Sequence, residues 1–150
     1  MDKVGIIRKG EIDIMDLLED LNTSNEEGSF GAIVTFIGVV RSKDRKGYKL
    51  KSLIYDADKE RAIESIKKIR EDLLAKYEDL KELYIYHVVD ELKPGESTVF
   101  ILAAAGHRDD AFKACREAID RVKVEAPIWK KEVSVKSEHW IIGDEIVEVD

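Results

Sequence analysis

Glu82–Glu125 reads ELYIYHVVDELKPGESTVFILAAAGHRDDAFKACREAIDRVKVE, and its periodicity changes along its length. Over Glu82–Val89, Leu83, Ile85 and His87 alternate with Tyr84, Tyr86 and Val88, the two-residue repeat of a strand. Lys93-Pro94-Gly95-Glu96 is a turn, because proline presets one backbone angle and glycine relaxes the next. Thr98–Ala105 is a buried strand that ends at Gly106. Ala111, Phe112, Cys115, Ala118, Ile119 and Val122 then recur at helical spacing; Asp109 is placed to cap that helix, and Pro127 stops it by about Glu125. Strand, turn, strand and helix in succession predict an α+β fold.

The flanks fit this frame. Trp129–Val135 alternates as a strand, and His139–Ile142 is a candidate for a last one. Upstream, Ala62, Ile63, Ile66, Ile69, Leu73, Leu74, Tyr77 and Leu80 form the apolar stripe of a helix from Asp58 to about Leu80, with Glu64–Lys68 and Asp72–Lys76 pairs outside. Phe30–Val40 is β-branched and apolar on both faces, which predicts a central, doubly covered strand. A basic loop, Arg41–Gly47, leads into a strand over Lys49–Asp56. Val4–Arg8 reads as the first strand, Asp13 as the cap of a helix over Ile14–Asn22, and Thr23–Ser29 as a loop. With no repeat or linker, residues 1–150 are expected to form a single domain: a mixed or antiparallel sheet with helices packed on one side.

Composition narrows the function. The 150 residues suffice for one substantial core, and 38% are charged, with a net charge of −7. That acidity argues against nucleic acid as a partner, and no apolar run is long enough to cross a membrane. One cysteine, Cys115, and the absence of a signal peptide predict a cytoplasmic protein. The lack of glutamine and the abundance of Lys, Glu and Ile hint at a thermophile. Basic residues nevertheless crowd two stretches, Arg41–Lys51 and Arg121–Lys136, which suits a small anionic ligand.

Three places could carry chemistry. At Gly38-Val39-Val40-Arg41 an apolar strand ends on an arginine, whose planar fork can grip a phosphate. Gly106-His107-Arg108-Asp109 joins a strand to a helix, where unpaired backbone N–H groups and the helix dipole favour an anion. Lys123 ends a helix and Lys130 lies on the next strand across a proline corner; two such cations near Trp129 would depress each other's proton affinity and suit acid/base or nucleophilic work. Each also has a plain structural reading: a strand end meeting water, a helix start, a lysine at a helix C-terminus. Neither the histidines nor the cysteine cluster as metal ligands.

Gly31-Ala32-Ile33-Val34-Thr35-Phe36-Ile37-Gly38-Val39-Val40-Arg41, Gly106-His107-Arg108-Asp109-Asp110-Ala111-Phe112 and Lys123 through Ala126-Pro127-Ile128-Trp129-Lys130-Lys131-Glu132 together resemble the catalytic (large) subunit family of molybdopterin synthase, the MoaE family. His87 and Leu92–Glu96 fit the segment between; Val88 and Asp90 depart from the family's usual His-Arg-x-Gly. The resemblance runs from about Gly28 to Trp140. It implies an α/β hammerhead-like fold and a sulfurtransferase that converts cyclic pyranopterin monophosphate to molybdopterin. Sulfur would come from the C-terminal Gly-Gly thiocarboxylate of a small ubiquitin-like subunit, with no metal or cofactor of the chain's own. It further implies a homodimer that becomes a heterotetramer once the small subunit binds, Lys123 and Lys130 as catalytic residues, and Val39, Val40, Arg41, His107, Arg108, Lys131 and Glu132 as substrate-binding ones. The alternative from another class is a non-catalytic module holding a phosphorylated ligand or a ubiquitin-like tail, which would need the anion site but not the lysine pair.

Overall fold

The computed structural model describes residues 2–136, 138–142 and 145–148. Its elements are β1 (Val4–Ile7), α1 (Ile14–Thr23), β2 (Ala32–Val39), β3 (Leu50–Ala57), α2 (Lys59–Lys76), β4 (Leu80–Val88), β5 (Glu91–Leu92), β6 (Ser97–Ala105), α3 (Arg108–Glu125), β7 (Ile128–Ser134), β8 (Glu138–Ile142) and β9 (Glu145–Glu148). The α+β class is as the sequence indicates. The strands, however, form two sheets, ordered β1-β4-β6-β2 and β5-β3-β7-β8-β9. Only the β1–β4 pairing is parallel among the described strands.

The helices do not share one side. In β4 and β6, Leu83, Ile85, Ile101 and Ala103 face α2 and α3, whereas Tyr84, Tyr86, Phe100 and Leu102 pack with Leu17 and Leu21 of α1 and with Leu50 and Leu53 of β3. Both faces of these strands are apolar, so both must be covered; one layer of helices cannot do it. The doubly covered central strands are therefore β4 and β6. β2 lies at the sheet edge instead, with Thr35, Ile37 and Val39 exposed. Ile66, Ile69 and Leu73 of α2 are fully buried, and truncation of any one to alanine should cost about 2–5 kcal/mol.

Asp13 caps α1 by accepting the Met15 N–H at 3.0 Å, as its position suggests. Asp109 does not cap α3; His107 occupies that position. The reason lies in Asp79, whose carboxylate accepts the His107 backbone N–H at 2.7 Å and whose carbonyl accepts the Gly106 N–H at 3.2 Å. These bonds hold residues 106–107 extended and start the helix early, leaving Asp109 in the first turn, paired with Lys113. The junction is crowded: a Cβ on Gly31 would run into the Gly106 carbonyl, and one on Gly106 into the Asp79 carboxylate.

Candidate active site

A cleft of about 1060 Å³ opens where the end of α3, the loop after β2 and the start of β7 converge. Of the residues singled out in the sequence, Val39, Val40, Arg41, Lys123, Lys130 and Glu132 line it.

Backbone bonds fix each approach. Val40 is buried; its N–H donates to Glu96 and its carbonyl accepts from Gly95, both at 2.9 Å, so the 93–96 turn sets where Arg41 begins. Lys123 stands exposed in the last turn of α3, where the helix dipole favours a cation. The helix breaks at Ala126, and the Pro127 carbonyl accepts the N–H of Asp58, tying the corner to the start of α2. β7 then pairs with β3, placing Lys130 opposite Tyr55.

The electrostatics single out Lys130. Burial destabilises its ammonium, the nearby Arg45, Lys123 and Arg41 charges add to that, and Glu132 opposes it; the net effect lowers its pKa below the usual lysine value. Such an amine gives up a proton more readily than an ordinary lysine.

Glu132 has partners other than the cleft. It is buried, and its Oε1 accepts from His139 Nε2 at 2.9 Å and from the Arg45 N–H at 3.3 Å. Asp44, also buried, accepts the Lys46 and Tyr48 N–H groups at 2.9 and 2.8 Å. Burial would push its carboxyl up, but the Tyr48, Ser134 and Lys46 bonds outweigh that and hold it below the ordinary range. Two buried carboxylates thus pin the basic 41–48 loop at the cleft mouth. Sequence reasoning placed Arg45 only in a basic stretch and gave Asp44 and His139 no role in the site: Arg45 meets Glu132 across 87 residues of chain, and no local pattern marks Asp44 or His139 as buried.

His107, Arg108 and Lys131 do not line this cleft. Lys131 pairs with Glu138 at 2.8 Å and lies over Trp140, while its strand neighbours Lys130 and Glu132 line the cleft. His107 precedes α3 and Lys123 lies in its last turn, so the 16 intervening steps separate them by about 24 Å at 1.5 Å each.

Comparison with known proteins identifies the family. The model of the MoaE protein family fits residues 7–125. A relative in Pyrococcus abyssi, named molybdopterin synthase catalytic subunit, is 37% identical over 146 residues, 94% of this chain and 97% of that one. The chain belongs to the MoaE family.

A MoaE-family relative in Drosophila pseudoobscura, with the same name, is 43% identical over 105 residues; they make up 70% of this chain but only 29% of that longer one. Molybdopterin synthase from Staphylococcus aureus, a solved structure, superposes with a TM-score of 0.83 at 31% identity, covering 93% of this chain and 97% of that one. As a MoaE-family member the chain is an enzyme of molybdopterin synthesis, acting in molybdenum cofactor biosynthesis. That sets aside the reading as a non-catalytic module. Among the described residues, no helix is long and apolar enough to cross a membrane.

Proposed function

We propose that the cleft transfers sulfur to cyclic pyranopterin monophosphate from the C-terminal thiocarboxylate of a small ubiquitin-like subunit, with Lys123 and Lys130 as its catalytic residues. The observation that carries this reading is the meeting of both lysines in one cleft, one of them with a lowered pKa, beside Arg41. The thiocarboxylate sulfur displaces an oxygen on a precursor carbon to give a thioester; water then adds to the thioester carbonyl, and the tetrahedral species collapses to leave the sulfur on the pterin and a carboxylate on the donor. An exposed cation at a helix end can stabilise the developing oxyanion, and a lysine of lowered pKa can exchange the protons. Arg41 takes the phosphate, Val39 and Val40 the ring's edge, and Glu132 the wall, while Lys131, turned away to Glu138, braces β7 against β8 without touching substrate. The exposed Val124 and Ile142 at the rim suit the flexible Gly-Gly tail. A buried lone cysteine suits a reducing cytoplasm, where we place the reaction.

His107 and Arg108 enter the site from a second copy of the chain. β2 is an edge strand with exposed apolar residues; Gly31, just before it, bonds to Ala105 beside the His107 junction, and its other end reaches Val39 and the cleft. Antiparallel pairing of β2 with its equivalent across a two-fold axis would lay the partner's residues 106–108 against Arg41. The homodimer then holds two complete sites.

The test is to supply the purified chain with precursor and thiocarboxylated partner and follow molybdopterin by mass spectrometry. Product is expected; none from a folded, partner-bound chain would overturn the reading.

A further inference from the structure

His87 lies at the end of β4, on the same face as Leu83 and Ile85, and lines the cleft although it is only 7% exposed. Its Nδ1 is 2.8 Å from the Val88 carbonyl. A carbonyl can only accept, so Nδ1 carries the hydrogen and Nε2 is left as a bare lone pair. The Tyr55 ring meets the imidazole edge-on at 4.8 Å and fixes its plane. Among the described residues, the buried side-chain nitrogens and oxygens sealed without a partner are Asp44 Oδ2, Tyr86 Oη and His139 Nδ1. Nε2 of His87 is not one of them and makes no hydrogen bond to another described residue, so it is the atom of the ring that the cleft reaches.

The other cleft groups make that lone pair unusual. Arg41, Lys43, Arg45, Lys123 and Lys130 offer only donors. Of the cleft carboxylates, Glu132 Oε1 is occupied by His139 and Arg45, and Asp120 is paired with Arg116. Burial keeps the imidazole neutral, pushing its pKa down to about 4 against the Val88 bond that would raise it, with the Lys130 charge adding to the burial effect. A reduced pterin presents ring N–H and amino donors as well as its phosphate. Cations satisfy the phosphate and none of the N–H groups.

We propose that His87 is a further substrate-contacting residue, whose Nε2 accepts a hydrogen bond from an N–H of the pterin ring and so sets which edge of the heterocycle meets the cleft floor. This rests on the pterin reading of the cleft. It makes His87 a specificity determinant rather than a proton donor: a pterin edge without N–H at that place leaves the lone pair unpaired.

The experiment uses the full chain labelled with 15N-histidine, titrated with cyclic pyranopterin monophosphate while calorimetry on the same sample reports binding. The His87 Nε2 resonance is expected to move toward the hydrogen-bonded position at saturation while Nδ1 stays protonated and still. Binding with an unmoved Nε2 would overturn the proposal and leave the reading of the cleft standing; no binding by the wild-type chain would overturn both. In turnover assays His87→Phe, which keeps a ring and loses the acceptor, should raise KM about ten-fold with a smaller change in kcat. His87→Gln, whose side-chain oxygen can occupy the Nε2 position, should recover most of that loss. Equal defects in the two variants would mark His87 as packing alone and overturn the assignment.

Discussion

Lys130 carries its proton at a cost, since partial burial and the charges of Arg45, Lys123 and Arg41 disfavour its ammonium. With the folded pKa below 10.5, the unfolded chain binds the more protons between those two values, and stability there rises with pH. Below that window both states are protonated and the cost is fully present. Lys130→Met should therefore raise Tm at pH 7 while lowering turnover; a fall in Tm would show that the buried cation is not the costly state. Lys123 is exposed, so Lys123→Ala should fold and bind the donor subunit but lose about 10²–10⁴-fold in turnover, measured at saturating precursor. His87 works in the opposite pH range. Neutral when folded down to about pH 4 and protonated below 6.5 when unfolded, it should remove on the order of 3 kcal/mol of stability as pH falls between those values. Urea unfolding at pH 7 and pH 4.5 should show this acid loss in the wild type and a shallower one in His87→Gln.

α2 and α3 are held side by side by ion pairs as well as by the core. Arg121 bonds Asp72 at 2.9 Å and Glu125 one turn on, Lys68 joins Asp72, and Lys76 and Tyr77 share Glu117. These groups are partly exposed, so Arg121→Ala should cost only about 1 kcal/mol in thermal unfolding, and less at high salt. Gly31→Ala should cost more, because the Gly106 carbonyl it meets is backbone and is fixed by Asp79. Both helices were legible from the spacing of Ile66, Ile69 and Leu73 and of Ala111, Cys115 and Val122, because amphipathic helices write their buried face into one contiguous window. β2 was not: apolar residues on both faces look alike whether the cover is a sheet in the same chain or something beyond it. The α3 start was misread because the bonds that set it come from Asp79, outside the local window. β5 is two residues long and takes its existence from Leu53 and Ile54, so no local pattern could announce it. In the site, residue types were readable and membership was not. The motif names His107 with Lys123, and only the length of α3 shows that one chain does not bring them together.

The proposed pairing of two chains along β2 would decide how many clefts the molecule has. Light scattering should give a dimer, and Ile37→Arg, which places a charge on the exposed edge, should give a monomer that retains its circular dichroism. α3 has a sharper consequence, one that belongs to genetics. If its two ends serve different sites, an allele that kills one end and an allele that kills the other should complement. Lys123→Ala chains and Arg108→Ala chains are each expected to be inactive as homodimers. Unfolded together and refolded at equal amounts, they should form mixed dimers in which one cleft carries both lesions and the other neither, restoring about a quarter of the wild-type clefts by random pairing. A site built within a single chain would restore nothing.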